Sequence, residues 1–336
     1  MKRNVEVVSY DLKWQELFES EAELIKKALG SNCLEIHHIG STSVPGLSAK
    51  PVIDIMPVVS DILEVDKAIK AMESLGYEAK GEAGMAFRRY FPKNIGEIRT
   101  HNVHVYEKGD LEIDRYLAFR NWLRIHDDDA KAYGHLKIEL AEKYPQDILS
   151  YCMGKDAFVA TIDEKDGYDG WRMVQALTDR EWAAVRSFRG KCFFKEKDPY
   201  SGTLDHKNHV HFVFYKKAEI IGYAHLQLWQ EDRVALRLLF IDENYRNRRL
   251  GKQLLELSER WLIHQGFKKL LMKSSKESFS FFQNLGYVKM PFNDPEDFRG
   301  DSLAVEIGKD LSVNKKKNIP WREAAKKELA KHSEGG

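Results

Sequence analysis

The sequence has few cysteines, no long apolar run and almost no net charge. Cys33, Cys152 and Cys192 are odd in number and far apart, so they imply no disulfide framework. No stretch approaches the roughly 18 consecutive apolar residues that span a membrane, and positions 10–13 are polar where a secretory signal needs an apolar core. The 53 Lys and Arg residues nearly balance 52 Asp and Glu. These absences predict a cytoplasmic protein with no membrane partner, and they argue against nucleic acid as a partner.

Length and apolar content predict two domains. A chain of 336 residues corresponds to about two domains at roughly 150 residues each, and a hydrophobic content of 43% can fill two cores. The stretch 163–170 is polar, contains two glycines and has no apolar period, which is typical of a boundary. We therefore expect one domain over 1–163, a linker over 164–170, a second domain over 171–312 and a basic tail over 313–336.

Hydrophobic periodicity predicts a small α/β arrangement with a helical end in the first half and a strand-rich arrangement in the second. In the first half we expect helices at Asp11–Leu29 and Asp66–Leu75, strands at Cys33–Ile39, Val52–Val59, Phe87–Phe91 and Val103–Tyr106, and two or three helices from Leu111 to about Ile162. In the second half we expect helices at Asp179–Phe188, Gly251–Gln265 and Glu277–Asn284, and strands at His209–Tyr215, Glu219–Trp229, Val234–Asp242, Lys269–Lys273 and Leu303–Ile307. The tail is expected to be helical around Trp321–Leu329.

The segment 238–255 carries the strongest local pattern. A buried strand leads into a basic turn, and a helix with apolar residues on one face begins directly after it. The free amides at a helix start, together with the helix dipole, favour an anion. Three arginines and one lysine around the turn add positive charge. This pattern predicts a site for a pyrophosphate group.

The same segment resembles motif A of the GNAT acyltransferases, whose loop reads Arg/Gln-x-x-Gly-x-Gly/Ala. Arg246 matches the first position and Gly251 the last, whereas Arg249 stands where the first glycine is expected. An arginine there would crowd the phosphate unless its side chain points outward. The stretch 278–287 resembles the last motif of that family, and the resemblance covers about 171–311. It implies a GNAT fold with a mixed, mostly antiparallel sheet flanked by helices, and acetyl transfer from acetyl-CoA to an amine.

The resemblance also implies which residues bind acetyl-CoA. The main chain around Phe240 and Ile241 would align the pantetheine arm and polarise the thioester carbonyl, and preorganised amides are suited to that task. The residues implied in cofactor binding are Phe240, Ile241, Arg246, Asn247, Arg248, Arg249, Leu250, Gly251, Lys252, Ser278, Phe281 and Phe282.

The acid and the base of such a reaction are not evident from the motifs. The family often uses a tyrosine as acid at the position of Phe282, which has no proton to donate. Tyr287 or Tyr245 could substitute, although packing is the expected role of both. The strand before the phosphate loop carries no carboxylate. The candidate bases are His225 and, at the following turn, Glu231 or Asp232, each of which could instead be an ordinary surface or turn residue.

The segment 37–55 resembles the signature of the GrpB family, and the resemblance covers about 5–162. That family is similar to a branch of the nucleotidyltransferase superfamily, so a small mixed-sheet domain is implied. In the superfamily, Gly-Ser holds a triphosphate and a pair of acids two residues apart on a strand binds Mg²⁺. The positions implied here for nucleotide or phosphate are Gly40, Ser41, Thr42, Lys50 and Asp54.

The partner position of Asp54 is Met56, so the acid pair is absent and any Mg²⁺ would be held weakly through the phosphates of a nucleotide. Binding without turnover is therefore as compatible with these residues as nucleotidyl transfer. The histidine pairs His209/His211 and His101/His104 have no suitable third ligand, so we predict no protein-held metal site there.

Together these patterns predict an α/β (α+β) protein with a GrpB-like domain and an acetyl-CoA-dependent N-acetyltransferase domain of the GNAT type. The acceptor is expected to be a small molecule, which could be nucleotide-like or phosphorylated and could be recognised by the GrpB-like domain. Two alternatives stay open: nucleotidyl transfer by the first domain, and a sensor that binds CoA or nucleotide without turnover. The oligomeric state is not predicted.

Overall fold

Two separate sheets organise the chain in the computed structural model, which describes residues 5–192, 201–204, 206–296 and 303–312. The predicted tail 313–336, with its helix at Trp321–Leu329, lies outside these residues. The chain divides into an N-terminal unit up to Arg172, which also takes in Lys216–Ala218, and a C-terminal unit from Met173 onward. None of the helices among the described residues is long and apolar enough to span a bilayer.

The N-terminal unit is a four-stranded mixed sheet with helices. Its strands are β1 (Cys33–Ile39), β2 (Ile53–Val59), β3 (Arg89–Ile95) and β4 (Ile98–Glu107), in the spatial order β1-β2-β4-β3. Its helices are α1 (Lys13–Leu29), α2 (Ile69–Ser74), α3 (Leu111–Ile125), α4 (Asp127–Lys143), α5 (Ile148–Met153) and α6 (Asp156–Asp166). Strands β2 and β4 run parallel, which places Asp54 beside Asn102.

Helix α1 follows directly from its apolar spacing. Trp14, Ala22, Ile25 and Leu29 recur at three- and four-residue intervals or their multiples, and all four are buried. Residues at such intervals lie on one face of a helix, so burying them fixes which face of α1 meets the sheet. Gly30, at φ 59°, ends the helix in a backbone conformation that glycine adopts without strain.

Several predicted elements of the first half differ from the structure. The expected helix Asp66–Leu75 is a 3₁₀ turn at Glu64–Ala68 followed by the short α2, and four helices rather than two or three follow Leu111. Helix α6 continues to Asp166, so it occupies the first residues of the expected linker. The short elements depend on tertiary packing, which local periodicity does not encode.

The 3₁₀ turn before α2 holds a buried ion pair. Asp66 accepts hydrogen bonds from Arg89, with Nε–Oδ1 at 2.7 Å and Nη2–Oδ2 at 3.0 Å, and the side chains are only 1% and 2% exposed. This two-point geometry joins the turn to β3 with no access to water. An exposed pair, Lys67 with Glu64, lies in the same turn.

The C-terminal unit contains a seven-stranded mixed sheet in the order β10-β11-β9-β8-β7-β6-β5. The strands are β5 (Trp171–Gln175), β6 (His209–Lys216), β7 (Glu219–Leu228), β8 (Arg233–Ile241), β9 (Lys269–Ser274), β10 (Val288–Lys289) and β11 (Val305–Asp310). The helices are α7 (Asp179–Cys192), α8 (Leu250–Gln265) and α9 (Lys276–Gln283). Strands β8 and β9 are parallel, whereas β7/β8, β9/β11 and β10/β11 are antiparallel. This confirms the predicted mixed, mostly antiparallel sheet.

Helices α7 and α8 cover opposite faces of this sheet. Phe188 of α7 packs with Val213 and Tyr223, while Trp261 of α8 meets the ring of Phe212 at 5.0 Å between ring centroids. Neighbouring residues of a strand point to opposite faces, so Phe212 faces α8 and Val213 faces α7. Buried Leu254, like Trp261, lies on the inward face of α8.

Candidate functional site

Strand β8 separates from its parallel neighbour β9 part-way along its length. The pairing covers only Arg233–Ala235 with Lys269–Leu271. On the other side, the register with β7 shifts between His225 and Leu226, which leaves Arg237 as the extra residue of a β-bulge. Beyond the bulge the main chain of β8 has no ladder partner on the β9 side among the described residues. Its polar groups on that edge can therefore bind an extended ligand.

The basic turn after β8 presents the start of α8. The N–H groups of residues 247–252 have no hydrogen-bond acceptor among the described residues, as the first turn of a helix requires. Arg246 bends back, and its Nε donates to the carbonyl oxygen of Ile241 at 3.1 Å. Arg248, Arg249 and Lys252 carry positive charge around these open amides, and all three residues are exposed. The arrangement suits a diphosphate.

Arg249 takes the backbone conformation that glycine would take at this position. Its φ is 61°, and Asn247 two residues earlier has φ 62°. A non-glycine residue in the left-handed region costs roughly 1–2 kcal/mol. The side chain of Arg249 is exposed. The departure from the glycine pattern thus leaves the backbone path intact, with an outward side chain.

Gly251 lies where the end of β8 meets α9. A Cβ built on Gly251 would be 3.8 Å from Ile241 Cγ1 and 3.8 Å from Phe281 Cζ, which is ordinary contact. Ser275 caps α9 by accepting from the N–H of Ser278 at 3.3 Å, and Ser278 is exposed. The structure brings the end of β8, the basic turn and Phe281 together.

Phe282 lies deeper than Phe281. It is 8% exposed, and its ring contacts those of Phe281 and Tyr287 at centroid distances of 5.0 and 5.6 Å. Among the residues implied in cofactor binding, Phe282 therefore belongs to the packing behind the surface that Phe281 and Gly251 share.

The candidate acid Tyr287 is buried and hydrogen-bonded to Glu259. It is 1% exposed, its hydroxyl donates to Glu259 Oε1 at 2.8 Å, and burial, with the negative charge of Glu259, raises its pKa well above the ordinary value. A group that holds its proton so firmly is a poor donor to a leaving thiolate. Tyr245 donates its hydroxyl hydrogen to Glu219.

The candidate base Glu231 lies at the far end of β8. It occupies the β7–β8 turn with φ 59°, and its exposed carboxylate is 3.4 Å from Arg233. At a rise of about 3.3 Å per residue, the seven residues from Arg233 to Phe240 alone separate it from Phe240 by more than roughly 20 Å. The structure therefore does not bring Glu231 together with the basic turn.

His225, the other candidate base, is fully buried in a cluster of aromatic and histidine side chains. Its Nε2 lies 2.7 Å from His209 Nδ1, and its ring stacks on His211 at 4.4 Å. His211 Nδ1 in turn lies 2.7 Å from the hydroxyl of Tyr223. Burial first, and then the neighbouring positive groups, lower the pKa of His225 well below its usual value. The ring is therefore neutral at pH 7.

The N-terminal unit brings the predicted Gly40 and Asp54 into contact. A Cβ on Gly40 would lie 2.5 Å from Asp54 Oδ2, and Gly40 has φ 69°. Asn102 Nδ2 donates to Asp54 Oδ1 at 2.9 Å, and His104 Nε2 lies 3.8 Å from the same oxygen. Although burial opposes it, the hydrogen bonds and positive partners led by His104 lower the pKa of Asp54. Asp54 is ionised at neutral pH.

Basic side chains surround the turn that carries Ser41 and Thr42. Arg120 donates to the carbonyl oxygen of His38 at 3.0 Å, and Arg124 donates to that of Ser43 at 3.0 and 2.7 Å. These bonds hold both ends of the turn. Lys50 lies nearby in the chain, with its Nζ 5.8 Å from the ring of Tyr151.

Met56 is fully buried in the apolar core on the same face of β2 as Asp54. The second-acid position of the nucleotidyltransferase pattern is therefore filled by core packing. Throughout the described part of the chain there is no group of three His, Cys, Asp or Glu side chains that could hold a metal ion.

Gly40→Ala is expected to destabilise the N-terminal unit by about 2 kcal/mol or more and to displace Asp54. The methyl group would overlap the carboxylate, and the positive φ adds strain for any residue with a Cβ. Urea unfolding measures the loss. Gly46→Ala is the matched control, because Gly46 also has a positive φ (77°) but open space around its Cβ position. Equal losses in the two variants would contradict the contact with Asp54.

Two groups of residues were not assigned a role from sequence. Asn102 and His104 are two residues apart on β4, so they share one face of the strand. They lie beside Asp54 because β2 and β4 pair in parallel. The contact of His209 with His225 likewise depends on the packing of neighbouring strands. The available signal was the alternation of polar residues within strands, which shows a shared face but not the partner across it.

The fold and this site define a two-unit α/β protein whose C-terminal half is of the acetyltransferase type. Residues 174–287 match the model of the acetyltransferase (GNAT) family. This match supports acetyltransferase-type activity for that half.

Residues 4–165 match the model described as GrpB protein. The chain is 46% identical over 163 residues to UPF0157 protein YqkA of Bacillus subtilis (strain 168), covering 48% of this chain and 47% of that protein. It is 38% identical over 160 residues to UPF0157 protein BH1888 of Halalkalibacterium halodurans, covering 47% of this chain and 80% of that protein. A crystal structure of conserved protein GrpB from Enterococcus faecalis is 45% identical, with a TM-score of 0.46, covering 48% of this chain and 96% of that one.

The chain belongs to the GrpB family and carries a GNAT acetyltransferase domain after the GrpB region. It spans about half the length of its Bacillus subtilis relative.

Proposed function

We propose that the C-terminal half transfers an acetyl group from acetyl-CoA to the amine of a small-molecule acceptor. The observation that carries this proposal is the part of β8 beyond the bulge, whose β9 side has no partner strand in the described chain. It is followed directly by the amides of residues 247–252, which have no acceptor among the same residues. An extended pantetheine arm needs such an edge, and a diphosphate needs such amides.

The strand β8 and the amides of residues 247–252 have different tasks in this reaction. Main-chain groups near Phe240 and Ile241 polarise the thioester carbonyl, and amides fixed in advance stabilise the developing oxyanion without reorganisation. Each amide bond to a charged phosphate oxygen contributes about 1.5–3 kcal/mol. A thiol with pKa about 8.5 leaves without a strong acid, which fits the phenylalanine at position 282 and the committed proton of Tyr287.

Calorimetric titration of the full chain with acetyl-CoA tests the binding step. We expect a Kd on the order of micromolar. An absence of binding at millimolar acetyl-CoA would contradict the proposal. The sensor alternative is separated by turnover: it predicts the same binding but no acetyl-CoA-dependent thiol release with any amine.

We also propose that the GrpB-like half binds a phosphorylated ligand or a nucleotide without transferring it. Gly40 and Ser41 supply the turn, and Lys50 lies close by in sequence. With Met56 in the core, Asp54 is the one carboxylate at the two positions where the superfamily has an acid pair, and one carboxylate holds Mg²⁺ weakly. Nucleotidyl transfer, which needs metal held by paired acids, remains the alternative.

Asp54→Asn separates these two possibilities. Without a metal, removing the negative charge is expected to tighten the binding of ATP by several-fold, because the carboxylate repels phosphate. The amide can still meet Asn102, so the fold is preserved. Calorimetry with ATP, with and without Mg²⁺, measures the change. Weaker ATP binding in the variant, seen only with Mg²⁺, would favour the nucleotidyltransferase alternative instead.

A further inference from the structure

A pocket of about 310 Å³ opens in the C-terminal unit, between the end of β5, the start of α7 and the start of β6. We name it the histidine pocket. It is lined by Gln175, Ala176, Leu177, Trp182, Leu204, His206, Lys207, His209, Val210 and His211. This volume is at the lower end of the range for small-molecule sites, so it suits a small acceptor and not a folded protein surface.

The described lining of the histidine pocket contains no carboxylate. Lys207 contributes a positive charge, and Trp182 contributes an aromatic wall whose ring lies 5.4 Å from that of His211. Glu181, next to Trp182 in sequence, is committed: its Oε2 accepts from the N–H of Leu177 at 2.8 Å. Among the described lining residues a ligand would therefore meet the ammonium group of Lys207 and the ring of Trp182, and this combination favours an anion.

A line of side chains joins the histidine pocket to the open strand. His209 lines the pocket and lies 2.7 Å from His225, and His225 lies opposite Leu238 on β8. Leu238 belongs to the part of β8 beyond the bulge, where pairing with β9 has ended. The pocket and the proposed thioester position are thus connected across one face of the sheet.

We propose that the histidine pocket is the acceptor site, that the acceptor is a small amine carrying a carboxylate or a phosphate, and that His209 removes the proton from its ammonium group. This inference rests on the acetyl transfer proposed above, and it deepens it by naming the acceptor class and the base. His209 is the catalytic residue, because it lines the pocket. His225, which acts through His209, is a positioning residue.

Acetyl transfer removes two protons from the ammonium group of the acceptor. His209 Nδ1 donates its hydrogen to Nε2 of His225, which leaves His209 Nε2 as an acceptor; this nitrogen has no protein partner within the described chain. Nε2 takes one proton from the ammonium group, and the free amine attacks the thioester carbon. The C–N bond forms, the C–S bond breaks, and the second proton of the amine passes to the leaving thiolate. The imidazolium then returns its proton to water.

An anionic acceptor would activate this base. Burial first, and then nearby positive groups, lower the pKa of His209 to about 3. The charged and titratable groups that face it are His206, His211, His225, Arg189 and Arg237. A carboxylate or phosphate bound beside Lys207 opposes the positive charge of Arg189 and Arg237 and raises the pKa of the His209 imidazole. An amine without an anionic group lacks this effect.

Matched acceptors test the class. Phenylalanine and phenethylamine differ by a carboxylate, and phosphoethanolamine and ethanolamine differ by a phosphate. We expect kcat/KM at least about 10-fold higher for the anionic member of one or both pairs, and the pair that shows it distinguishes the two sources of charge. Equal or lower values for both anionic members, in a chain that binds acetyl-CoA, overturn the inference.

Charge reversal tests the pocket itself. Lys207→Glu is expected to abolish or reverse the preference for the anionic acceptor while leaving the Kd for acetyl-CoA unchanged. Lys289→Glu, on the exposed β10, is the control and should retain the preference. If both variants retain it, the inference fails although acetyl transfer stands. If the unmodified chain does not bind acetyl-CoA, the proposed acetyl transfer itself is contradicted.

The roles of His209 as base and of His225 as positioning residue are tested by kcat and by its pH profile. His209→Gln is expected to lower kcat by at least about 100-fold with acetyl-CoA binding unchanged. His225→Phe removes the acceptor for His209 Nδ1, so it should shift the pH profile of kcat, which a purely structural change would not do. An unshifted profile in His225→Phe, or a kcat in His209→Gln within a few-fold of the unmodified chain, overturns the proposed base.

Discussion

Gly251→Trp is expected to weaken acetyl-CoA binding by about 100-fold or more. The Cβ position of Gly251 already touches Ile241 and Phe281 at 3.8 Å, so an indole must extend into the space in front of the free amides. Losing two amide–phosphate bonds of about 1.5–3 kcal/mol each corresponds to at least two powers of ten in Kd. Calorimetric titration with acetyl-CoA measures the change.

Two variants serve as controls. Gly251→Ala adds only a methyl at ordinary contact distance and should stay within about 10-fold of the unmodified chain. Gly190→Trp places the same bulky residue on α7, where nothing lies within 4 Å of the Cβ position, and should bind normally. If Gly251→Trp binds acetyl-CoA as tightly as Gly190→Trp, the start of α8 is not the phosphate site.

Asp66→Ala is expected to destabilise the N-terminal unit by about 3–5 kcal/mol. The change removes the carboxylate that meets the Arg89 guanidinium at two points, and the Arg89 side chain is only 2% exposed. The contact that stays is longer, with Glu82 Oε1 3.9 Å from Arg89 Nη1. Removing one partner of a buried ion pair is the costly change, whereas an intact pair often contributes little relative to an apolar replacement. The loss should appear as faster hydrogen exchange in β3 and the adjoining turn.

Glu64→Ala is the matched control for this prediction. Its carboxylate pairs with Lys67 in the same 3₁₀ turn, but those side chains are about half exposed, at 46% and 50%. Exposed pairs are worth about 0–1 kcal/mol. A loss in Asp66→Ala no larger than in Glu64→Ala would show that Asp66 and Arg89 are not a buried pair in solution.

The elements with long apolar periods could be predicted from the sequence. Helix α8 begins one residue before the predicted Gly251, and β1 matches the prediction Cys33–Ile39. Strand β5 at Trp171–Gln175 was not predicted, and the closing strand runs Val305–Asp310 in place of the expected Leu303–Ile307. These short, polar or edge segments owe their form to neighbouring strands, so their own residues carry little signal.

The candidate site, like the fold, has one part that the sequence predicts and another that depends on tertiary packing. The basic turn and Gly251 are consecutive in the chain, so sequence placed them together, and the structure adds that Arg249 keeps the backbone angle of a glycine. His225 was a candidate in isolation, and its contact with His209 spans 16 residues. Glu231 was a candidate by its proximity in sequence to β8, and the direction of the strand carries it away.

Acetyl-CoA-dependent thiol release by the full chain, measured across a panel of small amines, is the most direct test of acetyl transfer by the C-terminal half. We expect release that depends on the amine, with one acetyl group gained by the acceptor in mass spectrometry, and loss of both signals in Gly251→Trp but not in Gly190→Trp. Acetyl-CoA binding without thiol release from any amine of the panel would contradict it, and would assign the C-terminal half to a sensor.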